Sequence, residues 1–234
     1  MSARWHHEDQ NPLSVYKAPT DQPLLFRRTT SIKMVLPTTE IIIFDASEEF
    51  QSDPSIATAA FNIVLKAAGV QAPAYYGLQI ENPKTGYIFL NWDSLEHHQA
   101  IINDPSYPEL LAALKPSIGG ELKMNHVQFS APTVAFEKPV TEVLVLTLKA
   151  PENRATVEEI LTKISEVSEK MLVFGKTVEE ENKYILVGGW PTVEAHWETV
   201  AKPDVAAALT KLYSLASKDH LFHSKLSSYQ LPSA

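Results

Sequence analysis

The sequence predicts an α+β fold in which two copies of a β-α-β-β-α-β unit face one another and close eight strands into a single barrel. Three observations carry this expectation. The chain repeats itself at an offset of 98 residues, each copy runs through strand and helix patterns in the same order, and the first strand of each copy is apolar on both of its faces.

The repeat is read from matched segments. Tyr87-Ile88-Phe89-Leu90-Asn91-Trp92-Asp93-Ser94-Leu95-Glu96-His97-His98 recurs, with one extra glycine in the strand, as Tyr184-Ile185-Leu186-Val187-Gly188-Gly189-Trp190-Pro191-Thr192-Val193-Glu194-Ala195-His196. Trp92 and Trp190, His98 and His196, Pro105 and Pro203, and Gly77 and Gly175 are each 98 apart, while Thr39-Glu40-Ile41-Ile42-Ile43 matches Thr141-Glu142-Val143-Leu144-Val145 at an offset of 102. Two copies of about 100 residues indicate a duplicated domain, since solenoid repeats run about 20–50 residues. The expected boundaries are an extension over 1–36, a first repeat over 37–130, a linker over 131–139 and a second repeat over 140–231.

Residues 1–36 mix Pro12, Pro19 and Pro23 with polar residues and His6-His7, and follow neither the helical nor the strand period. They read as a loose extension or strap, with Met34 as a candidate start. Glu40 to Ala46 then forms a strand, and Asp53-Pro54 opens a helix as cap and first-turn proline, with Ile56, Ala60, Ile63, Val64 and Ala67 at helical spacing. Gly69 ends it. Tyr75 to Glu81 and Tyr87 to Trp92 make a hairpin across the turn formers Asn82 to Gly86. A second helix starts after Ser94, breaks near Asp104-Pro105 and resumes at Pro108, and Leu122 to Ser130 closes the unit. In the second copy Thr156 and Glu159 have the spacing of a capping box, and the last strand ends around Leu221 to Tyr229.

A four-stranded sheet with helices on one side should alternate apolar and polar residues. Ile41-Ile42-Ile43-Phe44 and Val143-Leu144-Val145-Leu146 do not, so the second face must also be covered. Packing one copy's open sheet against the other's removes that face from water and protects the strand edges.

Composition narrows the function. A net charge of −8, with no run of Lys and Arg interleaved with aromatics, lacks the footprint of a nucleic-acid binder. With no cysteine there are no disulfides, thiolate nucleophiles or Cys-ligated metals. No stretch approaches the roughly 18 apolar residues of a membrane span, and no signal-peptide pattern opens the chain, so a cytoplasmic protein is expected. Gly119-Gly120 follows a helix and Gly188-Gly189 lies within a strand, so neither forms a phosphate-binding loop. His220 and His223 should face opposite sides of a strand, and His6-His7-Glu8-Asp9 lies in the extension, so no metal or other cofactor is expected.

Two matched pairs of histidines remain. His98 and His196 stand in the first turn of the second helix of each copy, where they can pack or serve as acid–base groups near neutral pH. His126 and His223 lie on the last strand of each copy and can point into the barrel or towards the helices. Trp92 and Trp190 end the third strand, either stapling strand to helix or lining a pocket. Gly188-Gly189 replaces Asn91 in the second copy, which points to the first repeat as the place for a single active pocket.

Asn91-Trp92-Asp93-Ser94-Leu95-Glu96-His97-His98, Tyr107-Pro108-Glu109-Leu110 and Asn125-His126-Val127-Gln128-Phe129 together resemble fungal proteins of the antibiotic-biosynthesis-monooxygenase and stress-responsive A/B-barrel superfamily, with the resemblance running over about residues 38–230. The resemblance implies two ferredoxin-like repeats forming a dimeric α+β barrel within one chain. It implies a small hydrophobic or aromatic molecule as partner, and either a monomer with pseudo-two-fold symmetry or a homodimer. The expected activity is cofactor-independent monooxygenation or cyclisation of an aromatic or polyketide-like compound. A non-catalytic stress-response or ligand-binding barrel and a haem-handling barrel are the alternatives, because this fold does not choose its function.

In related cyclases a histidine near the last strand acts with a tyrosine. The resemblance therefore implies His126 or His223 with Tyr75, Tyr76, Tyr87 or Tyr184. Related monooxygenases bind a phenol in a pocket bearing aromatic and amide groups, which implicates Asn91 and Trp92. The candidate catalytic residues are His126, His223, Tyr87 and His98; the candidate substrate-binding residues are Asn91, Trp92, Tyr75, Tyr76, Tyr184, Trp190 and His196.

Overall fold

The computed structural model describes residues 35–233, and the reading of the extension, including Met34, lies almost wholly outside them. The first repeat contains β1 (Thr38–Ala46), α1 (Glu48–Ser52), α2 (Thr58–Val64), β2 (Val70–Gln79), β3 (Thr85–Trp92), α3 (Leu95–Ile102), α4 (Tyr107–Leu114) and β4 (Ile118–Gln128). The second contains β5 (Val140–Leu148), α5 (Arg154–Val167), β6 (Leu172–Lys176), β7 (Lys183–Trp190), α6 (Val193–Val200), α7 (Pro203–Leu215) and β8 (Ala216–Tyr229).

Local chemistry sets most element ends. The Ser47 hydroxyl caps α1 by accepting from the Phe50 amide, and Asp53 accepts from Ser55 to start a 3-10 turn at Pro54 that leads into α2. Gly69 adopts φ +79°, and a Cβ there would lie 2.3 Å from the His97 ring, so the turn into β2 admits only glycine. The helical segment after Ser94 divides into α3 and α4 on either side of Asp104-Pro105, as its sequence predicts. The capping box at Thr156 does not form. Pro151 begins a 3-10 turn that runs directly into α5 at Arg154, which leaves Thr156 inside the first helical turn instead of ahead of it. β2 also starts earlier than expected, at Val70, because Val70 and Gln71 pair with Trp92 and Asn91; the register shifts between Gln71 and Tyr75, beside Pro73, which has no amide to donate.

The eight strands form one sheet in the order β4-β1-β3-β2-β8-β5-β7-β6. Each repeat's last strand meets the hairpin of the other. At one seam β2 and β8 pair antiparallel from Ala74↔Tyr229 to Gln79↔Ser224. At the other, β6 meets β4 through the Val127↔Thr177 bridge and bonds from Val178 N to His126 O (2.9 Å) and Ser130 N to Phe174 O (2.8 Å). The matched glycines sit at these seams. A Cβ on Gly77 would lie 2.4 Å from the Lys225 carbonyl oxygen, and one on Gly175 would lie 2.4 Å from that of Gln128.

Three cores explain the strands that are apolar on both faces. Ile41, Phe89, Val143 and Ile185 fill the lumen with the linker residue Phe136. On the outer face Ile42, Phe44, Ile88 and Leu90 pack against Phe50, Phe61, Val64 and Ile101, and in the second repeat Leu144, Leu146 and Leu186 pack against Val157, Leu161 and Leu212. Each large side chain buried in this way contributes about 1.5–3 kcal/mol.

Candidate functional site: two histidine relays

On the outer face of the first repeat, an acid interrupts the apolar strand. Glu40 is 3% exposed and stands opposite both Leu90 on β3 and His126 on β4. Trp92, at the end of β3, donates its indole N–H to Glu40 Oε2 at 2.8 Å. The first turn of α3 lays His98 over this group, with Nε2 3.7 Å from Glu40 Oε1 and Nδ1 2.8 Å from His126 Nε2. His126 Nδ1 then lies 2.5 Å from Glu179 Oε1, and the Glu179 carboxylate also accepts from the His126 amide. The result is a series Glu40–His98–His126–Glu179, hydrogen-bonded from His98 onward.

The second repeat builds the same series. Glu142 stands opposite Gly188 and His223, and Trp190 donates to Glu142 Oε2 at 2.8 Å. His196 Nε2 is 3.5 Å from Glu142 Oε2, His196 Nδ1 is 2.7 Å from His223 Nε2, and His223 Nδ1 is 2.5 Å from Glu81 Oε1. Glu179 lies in the β6–β7 turn of the second repeat and Glu81 in the β2–β3 turn of the first. Each relay is therefore completed by a carboxylate from the other repeat.

The electrostatics of the series are graded. Burial raises Glu40 above the usual carboxylate range, partly opposed by the Trp92 hydrogen bond and the charge of His126; burial likewise raises Glu142 to about 7. Burial, reinforced by His126, lowers His98 to about 4, and burial with His223 does the same to His196. At the far end burial pushes Glu179 and Glu81 upward, but hydrogen bonds from the backbone and ring of His126 and His223 outweigh it and hold both below the ordinary value. An ionised Glu179 can only accept, so His126 Nδ1 carries a proton, and one further proton lies between His126 Nε2 and His98 Nδ1. Glu40, His98 and His126 also bring one donor atom each within 4.8 Å of one another, the donor types of a two-histidine, one-carboxylate metal site, but each is already engaged in the series.

Glu40, Trp92 and His98 border a cavity of about 60 Å³, otherwise walled by apolar residues such as Phe61, Leu90 and Leu110. It lies between the sheet and the helices of the first repeat. Its outer wall includes α4, which has no fully buried residue.

The structure thus brings together Trp92, His98 and His126 in one cluster and Trp190, His196 and His223 in the other. The tyrosines are elsewhere. Tyr87 is in the lumen with its hydroxyl 2.9 Å from His220 Nε2, and Tyr75 is in the lumen against Phe136, with ring centroids 5.2 Å apart. Tyr76 faces the helices beside Phe61, and Tyr184 donates to Glu158 and accepts from Arg154 on the outer face of the second repeat. None of the four hydrogen-bonds to His126 or His223; the tyrosine–histidine pair that forms is Tyr87 with His220. Asn91 accepts from the Thr39 hydroxyl at 2.7 Å, and at its counterpart Gly189 a Cβ would lie 3.0 Å from Ala135 Cα, so the linker closes down there. The four glutamates and His220 are additions to the expected site. Their signal was present in the repeat: Glu40 and Glu142 are matched acids in apolar strands, and Glu81 and Glu179 are 98 apart.

No family model matches the chain, and no curated protein matches it in sequence. Solved structures do. An anthrone oxidase-like protein superposes with a TM-score of 0.63 at 12% identity, covering 86% of this chain and 98% of that one. A protein of Fusobacterium nucleatum subsp. nucleatum provisionally described as a monooxygenase gives 0.62 at 13% identity, covering 84% and 94%. Another so described, from Lactobacillus acidophilus, gives 0.59 at 10% identity, covering 83% and 96%. Likenesses of this extent at such low identity define the class by its fold: a tandem α+β barrel of the dimeric kind, with both repeats in one chain.

Proposed function

We propose that this chain is an enzyme without a resident cofactor, which binds an aromatic or polyketide-like molecule between the sheet and helices of the first repeat and oxygenates or cyclises it. The observation that carries this reading is the Glu40–His98–His126–Glu179 series, which ends at the wall of an apolar cavity. The printed descriptions of the structural relatives, two monooxygenases and an anthrone oxidase-like protein, point the same way.

The chemistry follows from the proton positions. His98 is uncharged at neutral pH, so its Nε2 can take a proton from a phenol or from a carbon between two carbonyls. Its Nδ1 proton passes to His126, whose charge Glu179 stabilises, as a buried acid supports a base in hydrolytic triads. Glu40, whose carboxyl burial raises above its ordinary value, lies beside the new anion and in its protonated form donates a hydrogen bond to it. In a cyclisation the resulting enolate attacks a carbonyl of the same molecule. In an oxygenation the electron-rich anion reacts with O₂: a ring CH₂ becomes C=O, the second oxygen leaves as water, and the substrate supplies the electrons. The cavity of about 60 Å³ has to grow to fit such a molecule, and α4, with no fully buried residue, is the part of its wall least held by the core.

Anthrone turnover under air, followed by absorbance and oxygen uptake, tests this reading. Turnover that stops without O₂ and is lost in His98→Ala supports oxygenation. Full turnover in His98→Ala, or no turnover of anthrones or linear polyketide mimics by the intact chain, ends it.

A further inference from the structure

On the other side of the sheet the barrel lumen is not filled to its end. A cavity of about 300 Å³ opens there, bordered by residues of β1, β3, β4, β5, β7 and β8. Both repeats contribute, so it exists only in the closed barrel. Its size falls at the lower end of the range for small-molecule sites.

The polar groups of this cavity divide into those with protein partners and those without. Asp45 accepts from the Glu121 amide at 2.9 Å. Asp219 accepts from the Ser217 and Thr147 hydroxyls at 2.7 and 2.6 Å, and Lys183 is paired with Glu180. Among the described residues, nothing engages the Lys123 ammonium or the Asn125 side-chain amide. These two stand on one face of β4, opposite the lumenal residues Ile43 and Ile41 of β1. Across from them, His220 uses Nε2 for the Tyr87 hydroxyl. Burial and the charge of Glu81 keep the proton on Tyr87, and burial with Lys123 lowers His220 to about 4, so Tyr87 donates and His220 is left with an Nδ1–H to give. The unspent groups are therefore three donors, one of them cationic. The unengaged carboxylate of Glu121 sits at the exposed rim.

We propose that the lumen is a second binding site, separate from the relay cavity, which takes a small organic carboxylate between Lys123, Asn125 and His220. An aryl or short alkyl carboxylate suits it, because the cavity also has the apolar side chains of Ile43 and Val145. A carboxylate accepts from all three donors, and its bond to the lysine is charge-assisted.

Histidine-ring NMR of the isotopically labelled full chain, titrated with benzoate and separately with the neutral isostere benzamide, tests the site. Benzoate is expected to shift the His220 ring signals and leave those of His98 and His126 in place. Benzamide should bind about 10-fold more weakly or worse, and Lys123→Met should weaken benzoate by about 10-fold, the equivalent of one charged hydrogen bond. Asn125→Leu should give a smaller loss. Because both substituted residues are at least partly exposed, an unchanged amide spectrum is expected to show that the barrel is intact. Absence of benzoate binding at tens of millimolar, equal binding of benzamide, unchanged affinity in Lys123→Met, or shifts confined to His98 and His126 would each overturn the proposal.

Discussion

The two relays have the same atoms in the same order but different roofs. In the first repeat, Glu40 and His98 border a cavity. In the second, Trp197 lies over His196 with ring centroids 4.5 Å apart and reaches His223 at 5.5 Å, where the first repeat has Gln99 at the matching position. Tyr213 faces Glu142 from α7, and burial together with that carboxylate raises it to about 12. His196 and His223 are 2% and 0% exposed, against 7% and 6% for His98 and His126. Duplication has thus kept the series in both halves, and the first of them borders a cavity. On the proposed function, the second series, roofed by Trp197, is structural, and the first, which borders a cavity, carries the chemistry.

The sharpest way to break this contrast is kinetic. On the proposed function, His98→Ala should lower kcat by about 10²–10⁴-fold, the usual worth of a general base. His196→Ala should leave kcat within a few-fold while lowering stability. Similar losses in both would abolish the distinction. The same base gives a pH profile: kcat/KM should fall as pH drops through about 4, where His98 gains its proton. The remote carboxylates separate the roles next. Glu179→Gln and Glu81→Gln should each cost about 1–3 kcal/mol in urea unfolding, since each weakens a hydrogen bond to a buried histidine. Only Glu179→Gln should also slow turnover, by about 10-fold. A stability loss in one alone would show that the relays are not structurally equivalent.

A pH-dependent effect concerns Glu142. Its folded value, about 7, lies above the unfolded value near 4.5, so the folded state holds the proton more tightly and the contribution of this group to stability is lost as pH rises from about 4.5 to 7. Glu142→Gln should therefore show a melting temperature that gains on the wild type across that interval and stays level above it. A difference independent of pH would mean that Glu142 is ionised throughout.

The barrel was legible because Ile41–Phe44 and Val143–Leu146 are apolar on both faces, a pattern that one layer of helices cannot satisfy. Trp92, His98 and His126 and their counterparts were legible from the repeat. Which way His126 points was not, because strand alternation permits either face and the deciding contact, Glu40, comes from a neighbouring strand. Glu179 and Glu81 were harder still. They sit in turns where an acid is unremarkable by itself, and their partners lie in the other repeat, so their meaning appears only when the sheet closes. Thr156 shows the opposite error: a correct spacing for a cap was overridden by Pro151, which started the turn earlier.

The exchanged carboxylates also change how the two halves can diverge. A substitution at Glu81 removes nothing from the relay of its own repeat; it is felt at His223, across the seam. Glu179 stands in the same relation to His126. Each half thus keeps a part needed by the other, so neither can drift at these positions at its own expense alone. A lone repeat would have to borrow the missing acid from a second copy of itself.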